Sequence, residues 1–152
     1  MAPMPRAFAI CVTALALTVG CALGAASAWA QSDPQTVANK AVVTEIVNQI
    51  INGRQIDLAD QLVAEDMVQH LNRETKGLAE YKAHYQKIYE RYKEYVLDVY
   101  HIAADGEIVV VHGRLHGITN GGNKINFHVA DIYRLSGGRL AERWHVEQLI
   151  NQ

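Results

Sequence analysis

EYVLDVYHIAADGEIVVVHGRLHGITNGGNKINFHVADIYRLSGGRLAERWHVEQL, residues 94–149, is the stretch that decides the fold. β-Branched and aromatic residues dominate it, and apolar and polar positions alternate with the period of a strand that buries one face. Three turn signals divide it: Asp105-Gly106, Asn120-Gly121-Gly122-Asn123 and Ser136-Gly137-Gly138. These supply the positive-φ residues that tight hairpins require. Four strands are therefore expected, over about residues 94–104, 107–119, 124–135 and 139–149. Connections this short join antiparallel neighbours, because a parallel crossover needs a dozen residues or more. Strands of about eleven residues exceed the usual length, so such a sheet must curl and leave a concave side to be covered.

The cover lies upstream. Asp33 reads as a helix N-cap with Pro34 in the first turn, where a missing N–H costs nothing. From there Val37, Ala41, Ile46 and Ile50, with Val43 and Val47 beside them, mark an amphipathic helix that ends at Asn52-Gly53. A shorter helix from Asp57 to about Leu62 leads into the segment Val63 to His70. Gly77 opens a third helix, running to about Tyr92, in which Leu78, Tyr81, Tyr85, Ile88 and Tyr92 share a face suited to core packing. Helices first and a meander afterwards give an α+β domain: a cone-like, curved antiparallel sheet wrapped around three N-terminal helices.

Ahead of the domain, Arg6 precedes an apolar run from Ala7 to Leu17 and then small residues up to Ala28-Trp29-Ala30. That order is the one found in signal peptides. Residues 1–30 are read as a signal peptide cleaved after Ala30, and residues 31–152 as the mature domain, periplasmic or secreted and free of the membrane once the signal is removed. Both cysteines, Cys11 and Cys21, fall in the discarded part, so the domain has no thiol for a disulfide, a thiolate metal site or a nucleophile. Without Arg6 the domain carries 13 basic and 16 acidic side chains, a formal charge of −3 with histidines neutral. Phosphate contacts require clustered Lys and Arg, and a net acidic domain makes nucleic acid an unexpected partner. No nucleophile elbow or phosphate-cradling glycine loop is present, and no cofactor is expected.

Several short motifs together resemble the SnoaL-like branch of the nuclear-transport-factor-2-like superfamily, which includes polyketide cyclases and is related to ketosteroid isomerase. They are Val68-Gln69-His70 ahead of the Gly77-led helix, then Ala130-Asp131-Ile132-Tyr133-Arg134, then Gly138-Arg139-Leu140-Ala141-Glu142-Arg143-Trp144 after a glycine turn. The resemblance spans roughly Val37 to Gln148. It implies helices packed into a bent sheet, an apolar cavity at the open end that takes a small hydrophobic molecule, and a homodimer. It also implies, where members are catalytic, an acidic side chain on an inner strand that moves a proton next to a carbonyl, and Asp131 stands at that position. Relatives commonly read Glu-His-Trp-Asp at the last strand, whereas this chain has Glu142-Arg143-Trp144-His145.

Asp131 is thus the candidate base, with a pKa raised by an apolar cavity toward the useful range. A base needs a donor for the developing enolate oxygen, and Tyr85, Tyr133, His70 or His128 have suitable chemistry. His70 matches a recurrent pocket histidine of the resembled family. Trp144 is a candidate wall of the cavity, in which case His145 on the opposite strand face points to solvent. The competing reading of Asp131 is an ion pair with Arg134 or Arg143. Of the seven histidines, His112 and His116 share a strand face that His128 could approach, but four residues along a strand span about 13 Å, too far for one ion, and no metal is expected. Two functions stay open: a pocket protein for a hydrophobic or carbonyl-containing compound that catalyses proton transfer, isomerisation or cyclisation, and a non-catalytic binding or interaction module of the same fold.

Overall fold

In the computed structural model, residues 33–150 are described; the signal peptide over residues 1–30 and its cleavage after Ala30 lie outside them. Asp33 caps helix α1 (Pro34–Glu45), its carboxylate accepting from the Thr36 backbone N–H at 3.1 Å. The helix then widens into a π-helical segment, Ile46–Asn52. The wider turn suits the spacing of Ile46, Val47, Ile50 and Ile51, all of which are buried. Arg54 leaves this helix with a positive φ of 58° and donates to the carbonyls of Tyr89, Tyr92 and Lys93. Those bonds offset the backbone strain and tie the first helix to the end of the third. Helices α2 (Ala59–Leu62) and α3 (Leu78–Arg91) follow. No described helix is long and apolar enough to cross a membrane.

The sheet has six strands: β1 (Val63–His70), β2 (Glu74–Lys76), β3 (Tyr92–Asp105), β4 (Ile108–Thr119), β5 (Lys124–Ser136) and β6 (Arg139–Leu149). The last four are the expected meander, within two residues at each end. The spatial order is β2-β1-β6-β5-β4-β3, curved and not closed into a barrel. Two findings depart from the sequence reading. Val63 to His70 is a strand that pairs in parallel with β6, and the short β2 extends the edge beside it. Helix α3 stops at Arg91, so Tyr92 begins β3 rather than ending the helical stripe.

Alternation sets the inner face. Val109, Val111 and Leu115 of β4 point inward, as do Val129, Asp131, Tyr133 and Leu135 of β5. They meet Ile46, Ile50, Tyr81 and Tyr85 from the helices in one core. Asp131 therefore sits in a row of positions that are otherwise uncharged. Its placement follows from strand period alone: a residue two from Val129 and two from Tyr133 has nowhere else to point.

Candidate functional site

A carboxylate in that row needs partners, and β6 brings them. Antiparallel register sets Tyr133 opposite Arg143 and Asp131 opposite His145. Arg143, 4% exposed, donates from Nη2 to both carboxylate oxygens of Asp131 at 3.0 and 3.2 Å, and its Nη1 donates to the Tyr85 hydroxyl at 3.0 Å. The Tyr133 hydroxyl donates to Asp131 Oδ2 at 3.2 Å. His145 Nδ1 lies 2.7 Å from Asp131 Oδ1. Because the carboxylate only accepts, the proton of that bond belongs to Nδ1, while Nε2 on the other side of the ring faces a second carboxylate, Glu147 Oε2, at 3.3 Å.

Electrostatics of the cluster follow from these contacts. Burial by itself would raise the carboxyl pKa of Asp131, but the Arg143 charge and the hydrogen bond from His145 outweigh it and hold the group below its ordinary value. Burial and the neighbouring Asp131 charge push the Tyr133 hydroxyl well up. Asp131 is thus an ionised, fully partnered anion, not the high-pKa base expected from the sequence. The competing reading, an ion pair with Arg143, is the one observed: a guanidinium with five donors outweighs the effect of burial.

Next to this cluster opens a cavity of about 590 Å³, a size typical of small-molecule pockets. Its apolar walls include Ile88, Tyr95, Leu115, Ile125 and Phe127. Its polar lining includes Asn72, His84, Lys87, Arg91 and Glu147, together with the buried Arg143 and the partly buried His145. Asp131 does not line this cavity. It faces a small void behind Arg143 and His145, bounded also by Tyr85, Tyr95 and Leu115.

The residues singled out in the sequence divide accordingly. Asp131, Tyr85 and Tyr133 are brought together in one buried network, with the two tyrosines supporting the ion pair and not lining the main cavity. His70 and Trp144 stand apart from the cavity. They stack on each other, with ring centroids 5.0 Å apart and planes 8° from parallel, and His70 Nε2 reaches Glu142 at 2.8 Å. Hydrogen bonds from His70 and from Arg134 hold the Glu142 carboxyl below its ordinary value. The parallel β1–β6 pairing sets His70 opposite Trp144 and so makes this arrangement. His128, one residue from an inward-facing position, is exposed on the outer face. Arg143 and His145 are the site residues that the sequence reading did not choose, because it left the inner face of β6 open. The turn itself pointed the other way: it is centred between Gly137 and Gly138, which would set Asp131 opposite Trp144, and a register shift between Arg134 and Leu135 brings His145 there instead.

Solved structures with the same fold include a candidate SnoaL-like polyketide cyclase from Jannaschia Sp. CCS1, with a TM-score of 0.71 and 17% identity over 78% of this chain and 90% of that one. An LEH-like epoxide hydrolase of M.tuberculosis superposes with a TM-score of 0.68 and 17% identity, covering 76% of this chain and 86% of its own. A candidate ketosteroid isomerase from Kribbella flavida DSM 17836 gives 0.64 and 19% identity, over 78% and 83% of the two chains. Comparison with curated proteins returns no match. The SnoaL-like domain pattern matches residues 43–143, from the buried Val43 of α1 to the arginine that holds Asp131, and by that match the chain belongs to the SnoaL-like domain family.

Proposed function

We propose that the protein binds a small, partly apolar, carbonyl-containing compound in the 590 Å³ cavity and that His145 moves a proton to or from it. The observation that carries this reading is the 2.7 Å contact between His145 Nδ1 and Asp131 Oδ1 at the cavity wall. Fixed in this way, the imidazole has a defined orientation, and a proton passing between ring and ligand would go through Nε2, on the side of Glu147. Asp131 orients the ring and stabilises the imidazolium that would form. Arg143 holds Asp131 ionised and so keeps it an acceptor for the ring. The polyketide cyclase and isomerase descriptions of the structural relatives are in keeping with such chemistry.

A test uses ketones bound in deuterated buffer, with loss of the α-proton signal followed by NMR. Exchange in the presence of the protein should exceed the buffer rate and fall by about two orders of magnitude in His145→Gln, the usual contribution of a positioned acid or base. An unchanged rate in the variant would remove His145 from the chemistry. Binding without exchange in the wild type would favour the module reading, which the sealing of Asp131 behind Arg143 and Tyr133 supports.

Export belongs to the same proposal. The charged, apolar and small-residue order of residues 1–30 supports it. The protein expressed with its full N-terminus should be recovered outside the cytoplasm with a mass corresponding to a start at Gln31; a full-length mass would contradict cleavage.

A further inference from the structure

The polar lining of the cavity has a sign opposite to that of the domain around it. Residues 31–152 carry a formal charge of −3. Yet the cavity is lined by Lys87, Arg91 and Arg143 against one carboxylate, Glu147. Arg143 is neutralised from behind by Asp131, and Glu147 faces His145. That leaves Lys87 and Arg91. They lie one turn apart on α3, so their side chains project to the same side. Like charges at that spacing repel, and among the described residues no carboxylate lies within 4 Å of either.

His84, on the same helix face and in the same cavity, reports the local potential. Its pKa is pushed down to about 4, first by burial and then by the charges of Arg143, His145 and Lys87. Opposite this cationic strip stand Leu115, Ile125 and Phe127, an apolar floor contributed by β4 and β5. The cavity is therefore amphipathic, with an apolar side on the sheet and a cationic side on the helix.

We infer that the cavity selects small organic anions, compounds whose apolar body lies on Leu115, Ile125 and Phe127 while a carboxylate or phenolate is received by Lys87 and Arg91. This rests on the pocket reading above and adds the charge of the ligand to it. A guanidinium and an ammonium together suit a planar anion, because Arg offers a fork of donors and Lys a mobile point charge. Once the anion is bound, the repulsion between the two cations is relieved.

The test compares naphthoate with naphthamide, which has nearly the same shape and no charge. Binding is followed through the backbone amide shifts of Leu115 and Phe127 in labelled protein. Naphthoate should bind about tenfold more tightly, the effect of one added charge-assisted hydrogen bond. That advantage should shrink when salt is raised from about 0.02 M to about 0.5 M, and vanish in Lys87→Met/Arg91→Met. Equal affinity for the two probes, or a preference that survives in the double variant, would overturn the inference while leaving the pocket reading in place. Failure of both probes to move either amide would overturn the two together. The salt series on the unaltered protein decides between these outcomes even if the double variant does not fold.

Discussion

Asp131→Asn should lower the unfolding free energy by about 3–5 kcal/mol, the usual loss when one partner of a buried ion pair is removed. The variant keeps the shape of the side chain and removes its charge. Arg143 then remains 4% exposed with a guanidinium that no anion balances, and its alternatives are to pull toward solvent or to unpack the wall it shares with Tyr85. Urea unfolding of the two proteins measures the difference. Asp131→Leu combined with Arg143→Met removes both charges and should recover much of the loss, as replacement of a whole buried pair commonly does. The pH dependence has a fixed sign. A carboxyl whose native pKa lies below its ordinary 3.8 contributes stability that is present above 3.8 and is lost as pH falls below it toward the native value. The wild type should show that acid-side loss, and Asp131→Asn should show a smaller one, since Glu142 still contributes its own. A variant as stable as the wild type would mean that the ion pair does not hold this wall.

Gly113→Ala and Gly117→Ala on β4 should be still more damaging in combination. A Cβ at position 113 would lie 2.3 Å from the Asp98 carbonyl oxygen, and one at 117 would lie 2.3 Å from that of Glu94. Both obstacles are backbone atoms of β3, so no side chain can rotate out of the way. The strand itself must move. Both glycines are buried on the inner face, and the β3–β4 ladder shifts register between Val99 and His101 and between Tyr92 and Glu94. The missing side chains are what let β3 lean across its neighbour. Overpacking of this kind costs about 1–3 kcal/mol per site and more where the backbone cannot yield. The double variant should therefore be largely unfolded, or fold with β3 detached. Amide exchange across Val96 to Ile102 would detect detachment, and protection equal to that of the wild type would refute this origin of the curl.

Local chemistry was the legible part. The N-cap at Asp33, the four long strands and their glycine turns each depend on neighbours in sequence, so they could be read directly. Val63 to His70 could not. The adjacent Glu65 and Asp66 interrupt its alternation, and its partner β6 lies some 75 residues away in the chain. The same distance hid the pairing of His70 with Trp144. At the site, the presence of an inner-strand acid was readable and its state was not. Whether a buried carboxylate is a base or half of an ion pair depends on which face of β6 turns inward. One choice settled three residues together: Arg143 and His145 went in, and Trp144 went out. His128 was decidable from period alone, since a residue three positions from Asp131 cannot share its face.

The position of β6 also orders the folding reaction. It is the last strand in sequence but lies third in the sheet, between β1 and β5. The meander of β3, β4, β5 and β6 can form from local hairpins, and the β5–β6 hairpin already brings Arg143 beside Asp131. The docking of β1 on β6 is the long-range event, of the kind that slows folding. Until it happens β1 and β2 have no sheet to join, so the chemistry of the cavity wall can be in place before the sheet is complete.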